Sequence, residues 1–106
     1  MADNIIHVRR WQEAYTPTEQ ELRQRLLDEG LHPSRWSNEP GDVYSAHTHA
    51  FHKVVYVVSG SITFGFPVEG EPTTLRPGDR LELPAGIKHN AVAGPEGVVC
   101  LEAYRS

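Results

Sequence analysis

The sequence predicts an all-β domain that carries one N-terminal helix. Short runs rich in Val, Ile, Tyr and Phe recur from Arg35 onward, and clusters of turn-forming residues separate them. Short strands at this spacing are typical of a sandwich or a barrel. With 106 residues, 39% of them apolar, the chain can bury one compact core. We therefore predict a single domain over residues 1–106, with a strand and a helix in 1–34 and a β-barrel in 35–106.

The N-terminal part carries the signals of one edge strand and one helix. Residues 5–8 form a short apolar run suited to an edge strand. Thr16 is the predicted N-cap of the helix, with Pro17 in its first turn and Glu19 completing a capping box. The apolar stripe of the helix and the glycine at its end are Leu22, Leu26, Leu27 and Gly30. Because this stripe is narrow, we expect the helix to pack on the outside of the sheet.

Six later segments have the composition of strands. They are residues 43–49, 53–58, 61–66, 73–75, 80–83 and 98–103. Turn-forming residues lie between them, at Ser59-Gly60, Glu69-Gly70, Pro77-Gly78-Asp79, Pro84-Ala85-Gly86 and Gly94-Pro95-Glu96-Gly97. We therefore expect successive strands to be joined by tight turns.

Charge and cysteine content narrow the class of protein. A formal net charge of −4 argues against general nucleic-acid binding, which favours a basic face. The first ten residues have no apolar core long enough for a signal peptide, and no stretch approaches the length of a membrane span. Cys100 is the single cysteine, so no disulfide within the chain can form. We expect a soluble, cytoplasmic protein with neither nucleic-acid nor membrane partners.

Histidine spacing is the strongest chemical signal in the chain. His47 and His49 are two residues apart in a predicted strand, so their side chains point to the same face, about 6.6–6.8 Å apart along the backbone. His89 follows the turn residues Pro84 and Gly86. A third imidazole from a neighbouring strand would complete a set of nitrogen ligands and leave positions open on a metal ion for water or substrate.

These residues resemble the two motifs of the cupin superfamily. Gly41, His47-Thr48-His49 and Gly60 match the first motif in order and spacing, and the second motif is matched by Gly78, Pro84, Gly86 and His89. The resemblance covers about residues 41–93. It implies a double-stranded β-helix, or jelly-roll, barrel that is often dimeric. It also implies one divalent transition metal, which in this superfamily is commonly Fe, Mn, Ni, Zn or Cu.

Lys53 departs from this pattern, because it stands where the motif has a metal-binding glutamate. An ammonium about 4 Å from a divalent cation would cost roughly 8 kcal/mol at an effective dielectric constant near 20. Four outcomes are consistent with the sequence. Lys53 bends away and pairs with a carboxylate such as Glu82 or Glu102, or burial makes it neutral, or a bulge between His49 and Val54 turns it outward and aims His52 inward, or the barrel holds no metal.

The sequence leads to two functional hypotheses. In the first, His47, His49 and His89 bind a metal, with His52 as a candidate fourth ligand, and the protein is a metal-dependent enzyme on a small polar molecule. The resemblance implies dioxygenase-like or isomerase-like chemistry. The alternative is a non-catalytic module whose Lys53 recognises an acidic ligand. Lys53, Tyr56 and Phe64 are the expected ligand-binding residues; we assign no catalytic residue, and we expect a homodimer.

Overall fold

A computed structural model describes residues 5–105, and in this range seven antiparallel strands and one helix build a sheet that folds over on itself. The strands are β1 (His7–Arg9), β2 (Ser34–Asn38), β3 (Val43–His47), β4 (His52–Phe66), β5 (Gly70–Leu75), β6 (Arg80–Leu83) and β7 (His89–Arg105). The helix, α1, spans Glu19–Asp28. The predicted all-β class with one N-terminal helix is therefore confirmed.

The two long strands, β4 and β7, organise the sheet. The strand order is β1-β6-β4-β7-β2, with β3 added to β7 and β5 added to β4. The first half of β4 pairs with β6 and with the second half of β7, whereas its second half pairs with β5 and with the first half of β7. Each long strand therefore contributes to both layers, as in a jelly roll. Over the described residues the path has free ends at β1 and β2, so the ladder does not close into a complete barrel.

The predicted turns at Ser59-Gly60 and at Gly94 to Gly97 are wrong, because both segments lie inside continuous strands. They bend those strands instead. The pairing of β4 with β7 shifts register on either side of Gly60, and Gly60 has a φ of 73°. A β-carbon at Gly60 would clash with the carbonyl oxygen of Gly97, so only glycine allows the two strands to approach this closely.

The helix begins two residues later than predicted. Its N-cap is Thr18, whose hydroxyl accepts a hydrogen bond from the Glu21 amide at 3.1 Å, rather than Thr16. Thr18 and Glu21 have the same capping-box spacing as the predicted pair, and the buried Pro17 precedes the helix. The predicted stop is confirmed, since Gly30 adopts a φ of 78° directly after the last turn.

Alternate residues of the long strands face two different apolar clusters. Leu22 and Leu26 of α1 are fully buried against the outer face of the sheet, which confirms the predicted packing; Leu27 is 45% exposed and does not belong to the buried stripe. The cluster beneath the helix also contains Val54, Tyr56, Leu101 and Ala103. The opposite face of the same strands lines the interior, through Val55, Val57, Ile62, Phe64 and Cys100 among others.

Candidate metal centre

The interior of the folded sheet contains a cavity of about 290 Å³. Apolar side chains form part of its wall, and histidines, one lysine and one glutamate contribute the charged and titratable groups. The lining residues are Trp36, Tyr44, His47, His49, Lys53, Val55, Ile62, Phe64, His89, Ala91, Glu102 and Tyr104. This combination of apolar wall and few polar groups is typical of a small-molecule site.

Three histidines meet at this cavity because of how β3 pairs with β7. His47 ends β3 directly opposite His89, the first residue of β7. His49 lies in the loop after β3, and its carbonyl oxygen accepts a hydrogen bond from the Gly86 amide at 2.9 Å. The three ring centroids are 4.4–5.0 Å apart. One ring nitrogen from each lies within 4.8 Å of the others, which is close enough for the three to share an ion.

Hydrogen bonds to the backbone orient two of these rings. His47 Nδ1 lies 2.7 Å from the Ser45 carbonyl oxygen, and His89 Nδ1 lies 2.9 Å from that of Ile87. A carbonyl oxygen only accepts, so each Nδ1 carries a proton, and in a neutral ring this leaves the lone pair on Nε2. This arrangement, in which the second ring nitrogen is held by a backbone acceptor, is the one that histidine ligands of metals commonly have.

His49 provides an independent test of whether the site fits a metal. Its Nε2 is buried and has no hydrogen-bond partner among the described residues. A buried nitrogen without a partner is costly in a folded protein unless it contacts water, an ion or a ligand. The residues present therefore fit a divalent transition metal held by three imidazoles, a donor set that suits Zn, Cu, Fe or Ni.

The electrostatics of the cavity favour the neutral form of two of these rings. Burial lowers the pKa of His49, and the neighbouring charge of Lys53 lowers it further. Burial is also the main cause of the lowered pKa of His89. Because a metal binds the neutral imidazole, both shifts favour ligation at neutral pH.

Lys53 pairs with Glu102, a partner that one of the four outcomes named, but it lies inside the cavity instead of bending away from it. Its Nζ is 3.0 Å from Glu102 Oε1, and both side chains are only 12–13% exposed. Trp36 Nε1 donates to the same oxygen at 3.1 Å, and the Tyr104 hydroxyl donates to Oε2 at 2.6 Å. That hydrogen bond raises the pKa of Tyr104 to about 12. The carboxylate of Glu102 is thus held by three donors.

The bulge between His49 and Val54 that was one of these four outcomes is absent from the described structure, because β4 pairs with β7 in regular register from His52 to Val57. His52 consequently faces away from the cavity, and its Nε2 lies 3.1 Å from Glu82 Oε1. Tyr56 lies on this outer face too, buried beneath α1. The structure therefore does not bring His52 and Tyr56 to the site.

Of the remaining candidates, Phe64 lines the cavity, with its ring centroid 6.4 Å from that of His89. Sequence reasoning did not place Trp36 or Tyr104 at this site. Their signal was available in part, since Cys100, Glu102 and Tyr104 alternate along one strand and so share a face.

Among residues 5–105, no helix is long and apolar enough to cross a membrane.

Comparison with known proteins places these features in a family context. A family model described as the cupin domain matches residues 34–104. Acireductone dioxygenase of Rhodopseudomonas palustris strain TIE-1 is 36% identical over 64 residues, which are 57% of this chain and 39% of that protein. The chain therefore spans well under half the length of this curated relative.

Solved structures show the same likeness. KdgF from a Halomonas species superposes with a TM-score of 0.59 and is 31% identical, over 72% of this chain and 70% of that one. A DUF861 family protein from Thermotoga maritima superposes with a TM-score of 0.65 over 95% of this chain and all of its own, at 14% identity. The second match is a likeness of fold alone.

Proposed function

The chain belongs to the cupin domain family, and from that premise we propose that it is a metal-dependent enzyme acting on a small polar molecule. His47, His49 and His89 would hold the metal. The observation that carries this proposal is the buried, unpartnered Nε2 of His49 beside two rings whose Nδ1 atoms are tied to the backbone. An ion or a ligand bound at this cavity would give that polar atom a partner.

A divalent ion on three neutral imidazoles keeps its full positive charge, so it supplies Lewis-acid chemistry or, as iron, a place for substrate and O₂ together. The residues of the chain supply the rest of the site. Val55, Ile62 and Phe64 form an apolar wall that excludes water from one side of the bound molecule. Glu102 faces the cavity, where Lys53, Trp36 and Tyr104 hold its carboxylate in place.

We propose dioxygenase-like chemistry ahead of isomerase-like chemistry. The similarity to acireductone dioxygenase, 36% identical over 64 residues, supports this order. The substrate would be a small molecule that binds through oxygen atoms and fits a cavity of about 290 Å³.

The alternative, a non-catalytic module that uses Lys53 to hold an acidic ligand, receives less support. Lys53 already has a carboxylate partner at 3.0 Å, inside the same cavity. An acidic ligand would have to displace Glu102 and leave that carboxylate buried without its cation, which is unfavourable. The pairing of Lys53 therefore favours the enzyme hypothesis.

Elemental analysis of protein purified without chelators tests the proposal. We expect about one equivalent of transition metal per chain, either as isolated or after reconstitution. Replacing both His47 and His49 with Ala should abolish this uptake, whereas His32→Ala, an exposed histidine outside the cavity, should leave it unchanged. Equal metal content in all three proteins, or none in the wild type after reconstitution, would refute the assignment.

The reaction class needs a second measurement. Protein loaded with Fe²⁺ should consume oxygen when small molecules with adjacent oxygen atoms, such as α-hydroxy ketones, are supplied. The His47→Ala, His49→Ala double variant treated in the same way gives the background rate of free iron. Isomerisation of the same compounds without oxygen consumption would favour isomerase-like over dioxygenase-like chemistry.

A further inference from the structure

The pairing of Lys53 with Glu102 has a consequence for the metal centre. Both side chains line the same cavity as the three histidines, and both are largely excluded from water. Charges that are shielded from solvent interact more strongly with one another and with a bound ion than charges at the surface. The net charge of this pair therefore acts directly on any cation in the cavity.

Glu102 is held in place from more than one direction. Lys53 and Trp36 both approach Oε1, at 3.0 and 3.1 Å, and the Tyr104 hydroxyl approaches Oε2 at 2.6 Å. Lys53 and Tyr104 are direct neighbours across the ladder between β4 and β7. Because two strands and an indole from β2 fix the carboxylate, it remains beside the ammonium instead of rotating out to solvent.

Glu102 also lies outside the group of side chains that can share an ion. Among the histidine, cysteine and acidic side chains of residues 5–105, that group consists of His47, His49 and His89. The carboxylate thus acts on the site through its charge rather than as a ligand. A lysine that would by itself repel a cation is compensated by a carboxylate on the neighbouring strand.

We propose that the Lys53–Glu102 ion pair is a charge-balancing element that sets the affinity of the three-histidine site for a divalent cation. This inference rests on the proposed function, because it needs the histidines to bind metal. It also narrows the ligand class. Since the positive charge of Lys53 is used within the protein, the bound molecule is held by the metal through its oxygen atoms and not by the lysine.

Zinc titrations of four proteins test this inference: the wild type, Glu102→Gln, Lys53→Met and the double variant. Glu102→Gln leaves an uncompensated ammonium, so we expect its dissociation constant for Zn²⁺ to rise about tenfold or more. Lys53→Met leaves an uncompensated carboxylate, so its dissociation constant should fall about tenfold. The double variant restores neutrality and should return to within about threefold of the wild type.

Glu82→Gln is the matched control. Glu82 is a carboxylate on a neighbouring strand that also pairs with positively charged groups, but it lies outside the cavity. Its zinc affinity should equal that of the wild type. Circular dichroism of each variant checks that it is folded, and the double variant keeps the test decisive if one single variant does not fold.

The outcomes separate the two proposals. Zinc binding by the wild type with the same affinity in Glu102→Gln and Lys53→Met would overturn the charge-balance inference and leave the metal site intact. Weakened binding in both single variants, without recovery in the double variant, would also overturn it, because packing rather than charge would then be responsible. A wild type that binds no zinc, or any other transition metal, would overturn both proposals.

Discussion

Replacing His49 with Leu should stabilise the metal-free protein and abolish its response to metal. The reason is the buried Nε2 of His49, which has no hydrogen-bond partner among the described residues. A buried polar group without a partner costs roughly 1–3 kcal/mol. Leu has a similar volume and no polar atom, so the substitution removes this cost. A residue whose loss makes the empty protein more stable is typical of a functional site rather than of a core.

The expected size of the effect lies at the low end of that range. The side chain of His49 is only partly buried, and its ring stacks on Phe51 with centroids 5.4 Å apart, a contact that Leu does not reproduce. We therefore expect the free energy of unfolding to rise by about 1 kcal/mol. In a domain of this size the melting temperature should rise by roughly 4–8 °C.

The assay is thermal and urea unfolding, followed by circular dichroism, with chelator and then with zinc. Zinc at one hundred times its dissociation constant should stabilise the wild type by about 2.7 kcal/mol, and His49→Leu should gain nothing. His52→Leu is the control. It loses the contact with Glu82 at 3.1 Å, so it should be less stable by about 1 kcal/mol and keep its full response to zinc.

Two results would refute this reasoning. A metal-free His49→Leu protein that is less stable than the wild type by more than about 1 kcal/mol would show that Nε2 is satisfied in solution. A variant that is still stabilised by zinc as the wild type is would show that His49 is not a ligand. Loss of the zinc response in His52→Leu would show that His52 is the fourth metal ligand.

Three further predictions concern the rest of the molecule. Glu29 receives hydrogen bonds from Arg80, at 2.6 and 2.8 Å, which hold the pKa of its carboxyl below the ordinary value. A carboxyl whose pKa is lower in the folded state than in the unfolded state stabilises the folded protein. This stabilisation is fully present above the unfolded-state pKa, and it is lost as pH falls through the folded-state pKa. Glu29→Gln should therefore cost about 1–2 kcal/mol at pH 7 and almost nothing in acid, as measured by urea unfolding at both pH values; an equal cost at both would contradict this account. Burial raises the pKa of the Cys100 thiol to about 12, so a disulfide reagent at pH 8 should react with it far more slowly in the folded than in the unfolded protein, and equal rates would show that the thiol is accessible. The homodimer stays a prediction; Val43 and Val92, which pair across β3 and β7 and are 72% and 39% exposed, are apolar residues that a second copy could cover. Sedimentation velocity should give twice the mass of one chain, and a monomer at every concentration would exclude the dimer.

Much of the fold followed from local sequence patterns. The capping residues and the apolar stripe predicted the helix, and its end at Gly30 was correct because a left-handed glycine is a local requirement. Strand β6 was predicted with its observed limits, Arg80–Leu83. The errors concern glycines that serve contacts between distant segments. Gly60 resembles a turn residue in sequence, yet it bends a continuous strand because the carbonyl of Gly97 lies against it. Strand β2 was not among the six predicted strand segments, since it forms by pairing with the distant end of β7.

For the candidate site, the sequence by itself predicted the three histidines that lie close enough to share an ion. The spacing of His47, His49 and His89 is a property of the motif, and the structure brings these three together. Only the tertiary structure decided what surrounds them. The register between β4 and β7 sets which alternate residues face the cavity, and it directs Lys53 inward toward Glu102 while it directs His52 outward. Register depends on packing between segments far apart in the chain, so a local sequence pattern does not predict it.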